Sequence, residues 1–266
     1  PRSATSQLLT SYVTMSSGPT PNDDGTLKDL HIILMDNRRS EMARDPVFKQ
    51  ALQCIRCASC LNVCPVFRLV GGHVFGDVYT GGIGTILTAC FDQLKKSEDI
   101  QALCIGCGNC REVCPGLIDI PELILELRRR LDKDRPRGLG QKAVYAVVNN
   151  RRLFHGLLRA ASLASKPLAQ GGFIRHLPQF LGGEAAGFRS LPAIAPEPLR
   201  DILPRLPQPR GQRKALFYAG CLIDFAYPSL GQAVVEVLNR AGVEVVFPEG
   251  QTCCGAPARY AGSWDV

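Results

Sequence analysis

Eight of the twelve cysteines fall into two copies of one pattern, which limits what these 266 residues can fold into more than any other feature. The first copy is Cys54-Ile-Arg-Cys57-Ala-Ser-Cys60-Leu-Asn-Val-Cys64-Pro65. The second is Cys104-Ile-Gly-Cys107-Gly-Asn-Cys110-Arg-Glu-Val-Cys114-Pro115. Each reads C-x₂-C-x₂-C-x₃-C-P, the ligand spacing of chains that hold two [4Fe–4S] clusters. Three thiolates two residues apart wrap a tight loop around three irons of a cube. The fourth, followed by a helix-stopping proline, points away toward the other cube. The spacing thus assigns Cys54, Cys57, Cys60 and Cys114 to one cluster, and Cys104, Cys107, Cys110 and Cys64 to the second. A Cys₄ zinc site is the competing reading. Zinc needs four ligands per ion and has no use for the extra thiolate or the trailing proline. Disulfides are disfavoured, because clustered C-x₂-C thiols in a chain of this size point to metal.

Hydrophobic residues make up 45% of the chain, enough for packed cores rather than disorder. No apolar run approaches the ~20 residues of a membrane span, and no signal peptide is visible. Thiolate-ligated iron–sulfur clusters argue for a reducing, cytoplasmic setting. The net charge of +7 is concentrated. Residues 135–215 carry fourteen Lys and Arg against three acidic residues, whereas residues 1–134 carry fifteen against sixteen.

Residues 6–13 and 29–35 read as strands, the end of a sheet. A helix is expected from Asp45 as N-cap, with Pro46 at its first position, up to the first motif. Between the motifs, Gly71, Gly72, Gly76, Gly81, Gly82 and Gly84 read as a tight loop packed near a cluster. It is not a phosphate-binding loop, since no Gly-Lys-Ser/Thr follows. His73 within it is a candidate for a proton path or a redox partner. Residues 85–96 read as a helix with Cys90 as a small core residue. A further helix with Pro121 in its first turn follows the second motif, its basic residues gathered at the C-terminal end.

Residues 135–213 hold nine prolines and one amphipathic segment, in which Leu153, Phe154, Leu157, Leu158 and Ala161 share a face among Arg151, Arg152 and Arg159. It can dock on the chain's own neighbouring domain, on a partner subunit or on an anionic membrane surface. Nucleic acid is disfavoured, because interleaved aromatics and DNA-binding motifs are missing. From Arg213 onward a strand, a helix over 228–241 and a strand over 243–247 form a βαβ unit with a parallel sheet. Cys221 follows the first strand, and Cys253-Cys254-Gly255 the second. Loops at the C-terminal ends of parallel strands converge, so these three thiols can meet. The plainer reading is three small core residues.

Three stretches carry a family resemblance. Pro1 to Thr5 with Leu34-Met35-Asp36-Asn37-Arg38 looks like the end of a domain of the lactate-utilisation iron–sulfur proteins. Cys54 to Pro65, with Gly-Gly-His-Val-Phe-Gly-Asp-Val-Tyr, Gly-Gly-Ile-Gly and Asp119-Ile-Pro-Glu-Leu, resembles the ferredoxin part of that family's B subunit. Cys221 and Cys253-Cys254-Gly255, with thirty-one residues between them, look like the first half of a cysteine-rich CCG domain. That domain occurs in the lactate-utilisation A subunit, heterodisulfide reductase and the glycolate oxidase iron–sulfur subunit. The chain thus resembles a B–A fusion of the L-lactate oxidation complex, truncated at both ends. The implied fold is multi-domain α+β. Residues 1–44 are a remnant of an α/β domain and 45–134 a helical two-cluster ferredoxin-type domain. Residues 135–212 are a basic linker, and 213–266 begin the CCG domain. The resemblance implies an electron-transfer subunit of an oxidoreductase that turns lactate to pyruvate without NAD. It would use two [4Fe–4S] clusters, with a third iron–sulfur cluster a candidate at Cys221, Cys253 and Cys254. Its partners would be sister subunits and a quinone or flavoprotein acceptor, with peripheral contact to the cytoplasmic membrane. The alternatives are an iron–sulfur subunit acting on glycolate, glycerol 3-phosphate or a disulfide, and a zinc-stapled adaptor.

Overall fold

The computed structural model describes residues 18–175, 190–209 and 213–266. The cysteine motifs lie in a helical part. It comprises α1 (Arg39–Arg44), a 3₁₀ turn (Phe48–Gln53), α2 (Ser59–Asn62), α3 (Pro65–Val74), α4 (Gly81–Phe91), α5 (Glu98–Ala102), α6 (Asn109–Glu112) and α7 (Ile120–Lys133). Its core sets Ile83, Ile86 and Leu87 of α4 against Ile120, Leu123, Ile124 and Leu127 of α7, closed by Met42 and Phe48. Helix α7 forms where its sequence indicates. The Asp119 carboxylate accepts from the Glu122 amide at 3.3 Å, and Pro121 occupies the first turn. Leu123, Ile124 and Leu127 then recur on one face. On the flank of that face, the nearly buried Glu126 accepts from Arg129 and Arg130. Arg130 also reaches Asp45 at 2.6 Å, tying α7 to the chain entering the first motif. Burial pushes the Asp45 carboxyl up, but Arg130 and the Phe48 and Val47 amides outweigh it and hold the group at about 2.

Four expectations change here. Asp45 caps a 3₁₀ turn instead of an α-helix, its Oδ1 accepting from the Val47 and Phe48 amides at 2.9 Å each. Pro65 opens α3 rather than stopping a helix, because a ring at the first helical position removes only an amide that has no partner there. The glycine-rich stretch is only partly a loop. Helix α4 begins at Gly81, and a Cβ at Gly82 or Gly84 would stand 2.9 Å from Ile120 Cγ2 or 2.4 Å from the Tyr79 carbonyl. Residues 29–35 form no strand: they pair with nothing among the described residues, and Leu34 is 92% exposed. An extended segment without a neighbouring ladder has nowhere in a sheet to place its backbone hydrogen bonds. Residues 6–13 lie outside the described residues.

The basic stretch forms α8 (Leu139–Asn149) and α9 (Arg151–Ser165), with the Asn150 side chain accepting from the Leu153 amide at the start of α9. Three two-residue strands follow, β1 (Ala169–Gln170), β2 (Phe173–Ile174) and β3 (Leu191–Pro192), paired antiparallel. Helix α9 packs through Phe154, His155, Leu158 and Ser162, whereas Leu153, Leu157 and Ala161 of the expected apolar face stay exposed. The packed face meets the last part of the chain: α10 (Leu199–Ile202), β4 (Arg213–Leu216), α11 (Gly220–Phe225), α12 (Pro228–Arg240), β5 (Val243–Val246) and α13 (Ala256–Ala261). Strands β4 and β5 pair in parallel from Arg213↔Val243 to Leu216↔Val246, the expected βαβ arrangement. Leu203, Val235 and Val245 form its core.

Arg200 is the fastening between α9 and this second core. It donates to Asp224 from its own amide at 3.0 Å and from Nε at 2.7 Å, and to His155 Nδ1 at 3.0 Å. Asp224 is 1% exposed, so removing it strands a guanidinium in apolar surroundings, beside the Phe225 and Phe247 rings. Asp224→Ala should therefore cost about 3 kcal/mol, read as a lowered midpoint of thermal unfolding, with Asp224→Asn intermediate.

Candidate metal centres

The two motifs build the same loop twice. Cys54 leaves the 3₁₀ turn in extended conformation, and two left-handed residues, Arg56 (φ 58°) and Ala58 (φ 64°), turn the chain into α2. In the second copy Gly106 (φ 68°) and Gly108 (φ 84°) hold the equivalent places and lead into α6. Left-handed backbone costs a non-glycine residue about 1–2 kcal/mol. The first loop carries that strain twice and the second not at all. Cys60 and Cys110 then sit on the short helices α2 and α6, facing the core. Cys64 caps α3, its Sγ accepting from the Phe67 amide at 3.4 Å. Cys114 Sγ accepts from the Ile118 amide at 3.5 Å.

The fourth cysteine of each motif crosses over. A cavity of about 200 Å³ is lined by Cys54, Cys57, Cys60 and Cys114, with Tyr79 and Ile83 in its wall. A tighter cleft of about 30 Å³ is lined by Cys64, Cys104, Cys107 and Cys110, together with Cys60 and Phe75. Each lining includes the four cysteines that the spacing groups together, and the second also includes Cys60. Among the described residues, no three His, Cys, Asp or Glu side chains are placed to hold one metal ion. The thiols line the walls of a cavity instead, as a cube requires, because each thiolate there meets a different iron. The donor set, four sulfurs at each site, fits a [4Fe–4S] cluster.

Electrostatics tie the members of each set together. Burial pushes the Cys60 thiol up to about 11, and the neighbouring sulfurs of Cys54, Cys57 and Cys114 add to it. Burial likewise pushes Cys110 up to about 12, helped by Cys104, Cys60 and Cys107. Cys110 therefore feels Cys60 across the boundary between the sites. Burial raises Cys104 too, opposed by Gly106 and Arg128. Cys57, at the surface, is lowered by its bond to Ser59. Cys90 faces the core, apart from both sets. His73 is exposed on α3 and lines neither cavity.

The remaining three thiols also converge. Cys221 is the second residue of α11, after the left-handed Gly220, and Cys253 and Cys254 precede the left-handed Gly255 that caps α13. Burial raises Cys221, with Cys253 and Cys254 adding to it. Burial also raises the Tyr218 phenol, followed by the charges of all three. The two loops are pinned together by Gln251, which donates to Phe217 O at 2.7 Å and accepts from the Ala219 amide at 2.9 Å. Tyr218 adds a bond to Thr252 O at 2.9 Å.

Two domain families match the chain: the 4Fe-4S dicluster domain over residues 50–118 and the cysteine-rich domain over residues 215–265. Lactate utilization protein B 1 of Bacillus mycoides (strain KBAB4) is 36% identical over 179 residues, 66% of this chain and 37% of the relative. Lactate utilization protein B of Shouchella clausii (strain KSM-K16) is 35% identical over 205 residues, 75% and 43% of the two chains. Its counterpart in Macrococcus caseolyticus (strain JCSC5402) is 44% identical over 130 residues, 48% and 27%. The chain is similar to lactate utilization B proteins. It is an iron–sulfur protein, and it spans under half the length of these relatives. No solved structure matches it.

Sequence reasoning missed the groups that frame the sites: Tyr79 beside the first loop, Gln251 between the cysteine-rich loops, and Arg128 and Tyr260 beside the second. One signal was present, the exchange of Arg56 and Ala58 for Gly106 and Gly108 between otherwise parallel motifs. Gln251→Ala should leave the Ala219 amide, in a buried residue, without its partner and cost about 1–3 kcal/mol. Thermal unfolding measures the loss, and faster amide exchange at Ala219 locates it.

Proposed function

We propose that this chain carries single electrons between two [4Fe–4S] clusters in a lactate-oxidising complex. Cys54, Cys57, Cys60 and Cys114 hold one, and Cys104, Cys107, Cys110 and Cys64 the other. The observation that carries this reading is the crossing-over of Cys64 and Cys114, with Cys60 bordering both cavities. Each cluster supplies a one-electron couple. The chain's own residues shape how that couple behaves. Ile83, Ile118 and Ile124 keep water from the inner sulfurs, and the Phe67 and Ile118 amides donate to Cys64 and Cys114. Amide bonds to ligating sulfur favour the more negative, reduced state.

Oxidation of lactate to pyruvate releases two electrons and two protons, so two adjacent one-electron sites can take the electrons in sequence. They would leave to a quinone or flavoprotein acceptor, with sister subunits as partners on the cytoplasmic membrane face. The similarity to lactate utilization B proteins supports the substrate class. Cys221, Cys253 and Cys254 would form a third redox site, holding an iron–sulfur cluster of unusual type. Consecutive Cys253 and Cys254 cannot easily point at the same iron, and Gly255 lets the backbone approach closely.

Two outcomes test this. Cys64→Ser should alter the EPR signal of the centre at Cys104, Cys107 and Cys110, and Cys114→Ser that of the Cys54 centre. Damage confined to the centre nearest in sequence would refute the ligand sets. In the full-length protein with its sister subunits, Cys253→Ser and Cys254→Ser should each lower iron content and abolish lactate-dependent reduction, while dithionite still reduces both cubes. Unchanged iron and intact lactate reduction would remove the third site from turnover.

A further inference from the structure

One glycine decides which of the two motifs touches the cysteine-rich part. A Cβ on Gly106 would stand 3.0 Å from Tyr260 Cε1, so the Tyr260 ring lies directly on the loop between Cys104 and Cys107. In the first motif the same left-handed position is Arg56, whose guanidinium lies 5.1 Å from the centre of the Tyr79 ring. A side chain there fills the space that a docking ring would need. Arg128 holds the junction at the second loop, donating from Nη2 to Cys104 O at 2.7 Å and from Nη1 to Tyr260 O at 3.1 Å. Gly262 ends α13 at φ 94°, where a Cβ would meet the Arg128 carbonyl at 2.4 Å, so α13 presses on α7 as closely as backbone allows. Arg259 to Glu122 at 2.9 Å, and Ser263 to Asp132 at 2.9 Å, fix the same face. Among the described residues, the cavity of the first set is lined by those between Gln53 and Ile120.

Tyr260 lies within α13, four residues after its first residue, Ala256, a rise of about 6 Å, and Cys254 stands two residues before that helix. Electron tunnelling weakens steeply with distance, and an aromatic ring in contact with a ligand loop shortens the open gap. We propose that Tyr260 is the electronic contact between the cysteine-rich site and the centre at Cys104, Cys107, Cys110 and Cys64. That centre is then the junction, and the Cys54 centre is the outer terminus. The order deepens the proposed redox role of Cys221, Cys253 and Cys254 and rests on it for its physiological use. In each step one electron leaves the donor site and one arrives at the junction, which passes one on to the outer centre.

The test injects the electron artificially, so it does not depend on what the cysteine-rich site holds. A ruthenium polypyridyl photoreductant is attached through Pro257→Cys, one helical turn from Tyr260 on α13, with Cys254→Ser removing the exposed competing thiol. After a flash the excited ruthenium gives one electron to an oxidised centre, and a tertiary amine in solution restores the ruthenium. Visible bleaching follows the rate, and EPR of samples frozen at intervals shows which centre is reduced first. The expected result is that the Cys104 centre is reduced before the Cys54 centre. Tyr260→Ala should slow that step several-fold, and Tyr260→Phe should restore it, with both midpoint potentials unchanged. Reduction of the Cys54 centre first, or an unaltered rate in Tyr260→Ala, would overturn the proposal. So would equal slowing in Tyr260→Phe accompanied by shifted potentials, which marks a structural role. Lactate reduction failing while the flash result stands would sink the redox role of the cysteine-rich site but not this contact.

Discussion

A thiolate packed into an apolar core is unstable unless positive charge faces it. Cys60 and Cys110 are packed in this way, against the core that α4 and α7 enclose, and burial raises both thiols far above their ordinary range. Left to themselves they would stay protonated. Bound iron would reverse the balance, since a coordinating thiol is deprotonated outright. The same burial that disfavours the free thiolate also shields a bound cluster from water. The helical core and the two thiol sets therefore depend on each other. With sulfur forming part of the packed surface, folding and metal binding become linked.

Helix α7 transmits that linkage through the chain. One face, Leu123, Ile124 and Leu127, seals the core behind the cysteines. The other face carries Arg128, Arg130 and Asp132, and each reaches a different segment. Arg130 holds Asp45 ahead of the first motif, Arg128 holds the Cys104 loop, and Asp132 accepts from Arg137 and Ser263. The arginines gathered in its C-terminal half satisfy the helix dipole, but their side chains are used chiefly as long hydrogen-bonding arms. A lysine could not replace Arg128, because its guanidinium serves four acceptors: Gln101 Oε1, Gln101 O, Cys104 O and Tyr260 O.

The parts legible in the sequence were those in which spacing alone carries the physics. The two cysteine motifs, the helix with Pro121 in its first turn and the βαβ unit were all readable from intervals and turn residues. The strand at 29–35 was misread, because a run of apolar, β-branched residues suits a strand but cannot supply its partner. Pro65 was misread because a proline stops the helix before it and opens the helix after it with equal ease. The basic helix α9 had its polarity read correctly, but not its orientation. Its packing face is chosen by His155 against Arg200 and by Ser162 against Ala195 O, contacts with residues 33 to 45 positions away. No local pattern encodes such pairs.

The basic stretch also shows why counting charges is a weak guide to partners. Its described acidic residues, Glu197 and Asp201, are paired with Arg205 and Arg159, and Arg200 is committed to Asp224 beyond the stretch. Arg137 bridges Asp132 and Asp265. These arginines join segments of the chain to one another, which a solvated nucleic-acid stripe would not require. Arg151 and Arg152 stand apart from this pattern, exposed at the start of α9 beside Leu153 and Leu157, which is 48% exposed. Two cations next to two uncovered leucines form a far smaller basic surface than the sequence total suggests. The paired arginines, Arg137, Arg159, Arg200 and Arg205, instead hold segments of the chain in register.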